Sequence, residues 1–149
     1  MKVVTFEKLP DKYKELLKKA KDAINNSYSP YSNFKVGAAV LSQSGKIYTG
    51  TNVENSSYGL TMCAERVAIF KAVSEGERKF EAIAIIGTSN NVVSPCGACR
   101  QVILEFSQLS DKKIEVIMSN ENMNKVIIST IDELIPLGFG PLVFKKEQY

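Results

Sequence analysis

The sequence predicts an α/β fold of three layers, α-β-α, built on one mixed five-stranded sheet. Three observations carry that expectation. Apolar residues recur three or four apart near the N-terminus, two extended segments flank a short glycine turn, and strand-like and helix-like segments then alternate. Alternation demands crossover connections and some parallel pairing, whereas the short turn makes an antiparallel hairpin. At 149 residues the chain suits one domain over 1–149 and is short for two.

Each element follows from local chemistry. Between Leu9 and Asn26, Tyr13, Leu16, Leu17, Ala20, Ala23 and Ile24 form an apolar stripe separated by lysines and acids, so an amphipathic helix is expected. Asn25 to Pro30 breaks it with turn-favouring residues. Phe34–Leu41 and Lys46–Thr51 read as strands around Ser42-Gln43-Ser44-Gly45. The small run Gly37-Ala38-Ala39 implies that a helix packs closely there.

After a polar loop, Thr61 is the expected N-cap of a helix reaching Ser74, apolar nearly all round and therefore central and largely buried. Phe80 to Gly87, with the unbroken run Ile83-Ala84-Ile85-Ile86, suits a strand covered on both faces. Ser94 and Pro95 look like the cap and first residue of a second helix, to about Ser107. Ile114–Met118 and Lys125–Ser129 supply the last two strands, Thr130–Leu134 a helical turn, and the end from Gly138 is turn-rich.

Composition narrows the function classes. Hydrophobic content of 44% and charged content of 23% are those of an ordinary globular protein. The net charge of +3 is spread along the chain, and the basic residues of Lys12–Lys21 alternate with acids and apolar residues as on a solvated helix face, so no nucleic-acid partner is expected. No apolar run approaches a membrane span, and Met1–Glu7 does not open a signal peptide. The expectation is a cytoplasmic protein without a membrane partner.

Three cysteines and no histidine make the chemistry unusual. Cys63 precedes Glu65 by two residues, and Pro95-Cys96-Gly97-Ala98-Cys99 follows some thirty residues on. That set offers a catalytic zinc three thiolates, an open position for water and a carboxylate to move protons. Cys96 and Cys99, three apart on a helix, bring their Cβ atoms to ~5–6 Å, and Zn–S bonds of ~2.3 Å need sulfurs slightly under 4 Å apart. Cys63 and Glu65 are two apart, so both reach one metal only if it lies beyond the helix N-terminus. Two helix N-termini should therefore converge, their dipoles and the Arg66 guanidinium offsetting the net −1 of Zn²⁺ with three thiolates. Buried free cysteines or a thioredoxin-like pair are the competing readings. A structural zinc knot needs a fourth protein ligand that three cysteines without histidine do not supply.

Cys63-Ala64-Glu65 with Pro95-Cys96-Gly97-Ala98-Cys99-Arg100-Gln101 resembles the cytidine deaminase family in its three-cysteine form. The likeness runs from about Leu9 to Pro141 and includes Phe34–Ala39, Gly50–Asn55 and Phe139-Gly140-Pro141. It implies a cytidine deaminase-like fold with Cys63, Cys96 and Cys99 as zinc ligands and water in the fourth place. Glu65 would shuttle protons to N3 and to departing ammonia while hydroxide attacks C4, giving uridine. The resemblance also implies Asn52 and Glu54 on the ribose hydroxyls, Phe34 stacked near the base, and Tyr58 and Ala64 among the substrate contacts. Phe139 would come from a neighbouring subunit of a homotetramer with shared active sites. Asn52 and Glu54, two apart, face the same way in an extended segment.

Met62, where a branched aliphatic is frequent, and the charged tail Lys145-Lys146-Glu147 depart from the family pattern. The implied reaction is deamination of free cytidine and deoxycytidine, in pyrimidine salvage. Deamination of a nucleoside antibiotic such as blasticidin, polynucleotide editing and a non-catalytic zinc module are the alternatives.

Overall fold

Six strands, not five, make the sheet in the computed structural model, which describes residues 1–145. The elements are β1 (Lys2–Val4), α1 (Asp11–Ala23), β2 (Val36–Ser42), β3 (Ile47–Thr51), α2 (Ala64–Ser74), β4 (Phe80–Gly87), α3 (Gly97–Leu109), β5 (Glu115–Ser119), β6 (Val126–Thr130) and α4 (Ile131–Leu134). The sheet order is β1-β6-β5-β4-β2-β3. The unexpected strand is β1, whose three residues are too few to show a period. Its identity comes from pairing with β6, Lys2 opposite Ile128 and Val4 opposite Val126. The tail residues Lys146 and Glu147 lie outside the described residues.

β4 and β5 pair in parallel across the α3 crossover, and the other neighbouring pairs are antiparallel. Because β2 opposes both β3 and β4, those two strands run in the same direction. The register therefore gathers Val36 beside Gly87, Gly37 beside Thr51, and Ile86 beside Ser119 at one end of the sheet. The chain leaves β3 and β4 there to enter α2 and α3. Loops that converge at the carboxyl ends of such strands make a natural site.

The unbroken apolar run of β4 resolves into two alternating sets, as a strand buried on both faces requires. Ile83 and Ile85 pack with α2 and α3, including Ala68, Ile69, Ile103 and Leu104. Ala82, Ala84 and Ile86 pack with Tyr13, Leu16, Leu17 and Ala20 of α1. This is the expected α-β-α layering. α2 is only partly the central helix its sequence suggests: Ala64, Glu65, Ala68, Ile69 and Ala72 are buried, but Phe70 is 44% exposed and Val67 half-buried. An apolar flank thus faces outward from the single chain.

Two glycines let the helices approach the hairpin. A Cβ on Gly37 would stand 1.9 Å from the Ala20 carbonyl oxygen of α1, and one on Gly50 would stand 2.4 Å from Ala64 O and 2.5 Å from Ala68 N of α2. These neighbours are backbone atoms, so the obstruction cannot be relieved by a rotamer change. Gly50→Ala is expected to cost roughly 2–3 kcal/mol through overpacking, read as a fall of roughly 4–12 °C in Tm. A variant melting with the parent would contradict this close approach.

Glu133 supplies a pH-dependent tie at the start of α4. Its Oε2 accepts from Ser129 Oγ at 2.7 Å and from the Thr130 N–H at 3.0 Å. The Ser129 hydroxyl first, then the N-terminal ammonium and the Thr130 N–H, pull its carboxyl from 4.5 down to about 2. A folded-state value below the unfolded one stabilises above pH ~4.5, and that contribution is lost as pH falls toward ~2. The Tm gap between the parent and Glu133→Gln is expected to narrow across that window. A gap that stays constant from pH 6 to pH 2 would remove Glu133 from the account.

Candidate active site

Cysteine, not threonine or serine, occupies both N-cap positions at this end of the sheet. Cys63 caps α2 and Cys96 caps α3, each in extended backbone and without a side-chain capping bond. The expected cap Thr61 is displaced because Val53 and Met62 exchange backbone bonds of 2.9 Å, which keeps 61–62 extended. The expected cap Ser94 lies two residues early. The first helical bond of α3 runs from Arg100 N to Cys96 O at 2.9 Å, leaving Pro95 outside the helix. Both helices consequently direct first-turn N–H groups toward the thiols.

The sulfurs of Cys63, Cys96 and Cys99 all lie within 4.8 Å of one another, and Cys63 Sγ is 3.8 Å from Cys96 Sγ. The cluster sits beyond two helix ends, as the two-residue spacing of Cys63 and Glu65 requires. Tetrahedral Zn–S bonds of ~2.3 Å need sulfur separations of this size, so the donor set fits zinc. Arg66 Nη2 donates to Cys63 Sγ at 3.4 Å, while its Nε is buried without a partner. Glu65, 4% exposed, accepts from Cys99 Sγ at 3.5 Å through Oε2.

The electrostatics follow from that packing. Burial pushes the Glu65 carboxyl up to about 6. The neighbouring Cys99 thiol, and then the Arg66 guanidinium, pull Cys63 down to about 5. Cys99 is pushed up by the Cys63 sulfur beside it, with burial and the Glu65 carboxylate acting in the same direction. A carboxyl poised near neutrality beside a thiolate-forming cluster is suited to accept and return a proton.

A cavity of about 210 Å³ opens on the cluster, bordered by Phe34, Val36, Asn52, Ala64 and Glu65. Thr61 borders both it and an outer recess of about 380 Å³ that holds Tyr31, Ser32, Glu54 and Tyr58. Asn52 is mostly committed to its own chain. Its Oδ1 accepts from Ser27 Oγ at 2.5 Å and Val36 N at 2.9 Å, and its Nδ2 donates to Phe34 O at 2.7 Å. One Nδ2–H remains for another acceptor. Glu54 Oε1 accepts from the N–H groups of Tyr31 and Ser32 at 2.9 and 3.1 Å, and Oε2 from Ser32 Oγ. The Ser32 hydroxyl, helped by these N–H groups, holds the Glu54 carboxyl below its usual range.

Residues 10–117 match the family model described as the cytidine and deoxycytidylate deaminase zinc-binding region. The chain belongs to this deaminase family. A probable cytidine deaminase of Dictyostelium discoideum is 53% identical over 141 residues, covering 90% of this chain and 92% of the relative. A cytidine deaminase of Sporosarcina psychrophila is 46% identical over 126 residues, covering 85% and 90%. The crystal structure of cytidine deaminase from Burkholderia pseudomallei superposes with a TM-score of 0.78 at 44% identity, over 84% of this chain and 97% of that one. The three-cysteine group is consistent with a zinc-dependent hydrolase of the family.

Within this deaminase chain, Phe34, Asn52 and Ala64 meet at the inner cavity and Glu54 and Tyr58 at the outer recess. Phe139 does not border either; it is 61% exposed, packs edge-on against Phe144 and receives Gln101 Nε2 on its carbonyl at 2.6 Å. Sequence reasoning missed Ser27, Tyr31 and Ser32, whose loop holds Asn52 and Glu54 in place. The turn-favouring run 25–30 locates a loop but cannot reveal the carboxylate it wraps. Among the described residues no helix is long and apolar enough to cross a membrane.

Asn52→Ala leaves the buried Val36 N–H and the Phe34 C=O without their partner, while Ser27 keeps Ser29 Oγ at 3.2 Å, and is expected to cost about 2–3 kcal/mol, visible as a lowered Tm in thermal unfolding. An unchanged melting curve would leave Asn52 without this internal role.

Proposed function

We propose that the chain is a single catalytic domain that hydrolyses free cytidine and deoxycytidine to uridine and deoxyuridine with release of ammonia, as in cytoplasmic pyrimidine salvage. The carrying observation is the burial of Glu65 beside three clustered thiols on the border of a cavity that shares Thr61 with the Glu54 recess. Cys63, Cys96 and Cys99 would hold Zn²⁺, which when bound supplies the Lewis acidity that makes water nucleophilic near neutral pH.

Glu65 accepts one proton as the water oxygen bonds to C4, and delivers it to ring N3. It then carries the remaining hydroxyl proton to the 4-amino group. The C4–N bond breaks as the C4 carbonyl forms, ammonia departs, and Glu65 is again a carboxylate. The inner cavity is below the usual volume range of small-molecule sites, which suits a pyrimidine ring with its ribose extending outward. Phe34 and Ala64 border the ring position. Asn52 offers its remaining N–H, and Glu54 its carboxylate, to the ribose hydroxyls, with Tyr58 beside them. Arg66 holds the Cys63 thiolate and tempers the charge of the centre.

The outward apolar flank of α2 and the exposed Phe139 support a homotetramer in which a neighbouring subunit completes the site. The scattered charge favours a free nucleoside over a polynucleotide.

Ultraviolet assays with cytidine, deoxycytidine, blasticidin S and a single-stranded DNA cytosine test the substrate class. Turnover of the first two alone is expected; turnover of only the antibiotic or only the polynucleotide would replace this reading. Glu65→Gln is expected to retain one zinc per chain and lose ~10²–10⁴-fold in kcat. Full activity in that variant would place proton transfer elsewhere.

A further inference from the structure

We infer that Arg100 is a positioning residue that fixes the Cys96 ligand arm before metal arrives. The inference rests on the three-cysteine metal centre proposed above. Cys96 is exposed and makes no side-chain capping bond, and the neighbour of its sulfur is another free thiol, Cys63 Sγ at 3.8 Å. Arg100 grips the peptides on both sides of it. Arg100 N donates to Cys96 O at 2.9 Å, and Arg100 Nε donates to Pro95 O at 2.8 Å. Those carbonyls belong to the two peptide planes whose relative rotation defines φ and ψ of Cys96. Pinning both planes pins the Cα–Cβ direction, and hence the region the sulfur can reach.

The grip is anchored outside the helix. Arg100 Nη1 donates to Leu134 O at 2.8 Å, the last residue of α4. Pro95 and Ile131 are buried, so both ends of the brace belong to packed parts of the fold. Among the described residues Arg100 forms no salt bridge. The guanidinium spends Nε and Nη1 on neutral carbonyls instead. Such a fork spans two fixed acceptors at once, whereas a lysine ammonium at the end of a flexible stem does not impose that geometry. A ligand arm held in advance binds metal without losing its freedom at that moment, and groups that orient metal ligands are typically worth ~10–100-fold in affinity.

The test uses the full chain and its Arg100→Gln and Arg100→Lys variants, each loaded with zinc against a chromophoric chelator and with Co²⁺ as a spectroscopic probe. Both variants are expected to bind zinc ~10–100-fold more weakly than the parent, with altered thiolate-to-cobalt charge-transfer bands and parent-like circular dichroism. Zinc affinities within twofold of the parent and an unchanged cobalt spectrum would overturn the brace, even if Tm falls. A parent chain that takes up neither metal overturns the centre and the brace together. Should the variants not fold, the unaltered metal-free chain decides: its Arg100 Nε–H is expected to exchange with solvent far more slowly than a free arginine's. Exchange at the free rate would mean that the brace is absent before metal binding.

Discussion

Two cysteines at N-cap positions impose a meeting of helix ends on which the site depends. Cys63 and Cys96 approach to 3.8 Å only because the first turns of α2 and α3 point at the same place. The meeting is prepared from several directions. Gly50 lets the first turn of α2 lie against β3, the Val53–Met62 bridge delays the helix until Cys63, and the β4–β5 crossover brings α3 alongside. Serine or asparagine at either cap would serve the helix better. Cysteine there leaves helix N–H groups to face sulfur, so local helix stability is exchanged for a site that favours thiolate.

Charge and burial give the neighbouring groups separate tasks. Glu65 lies on the first turn of α2, yet burial drives its carboxyl up to about 6, while Cys63 on the preceding residue but one is drawn down to about 5. The difference arises from neighbours: Cys63 lies beside the Cys99 thiol and receives Arg66, whereas the Glu65 effect is dominated by desolvation. Farther out, Glu54 stays strongly acidic because three donors of the 31–32 loop converge on it. For the proposed reaction, a carboxyl raised by burial inside and a carboxylate kept acidic outside would suit a ring that reacts and a sugar that is held.

Much of this was legible because it resides in spacing. The Cys-x-Glu and Cys-x-x-Cys intervals demanded a cluster off the helix ends, and the alternating apolar segments demanded covered strands. What escaped was set by partners distant in sequence. Strand β1 exists through its pairing with β6, and the true caps of α2 and α3 are decided by Val53 and by the Arg100–Cys96 bond, against a strong local preference for Thr61 and Ser94. The internal bonding of Asn52 was hidden for the same reason, since Phe34, Val36 and Ser27 reach it through tertiary folding.

The proposed function requires one zinc held by three thiolates presented from two helix ends. Zinc-edge X-ray absorption on the purified full chain reads that coordination. Three sulfur neighbours at ~2.3 Å and one lighter atom at ~2.0 Å are predicted. A shell of two or fewer sulfurs, or of four, would contradict the account.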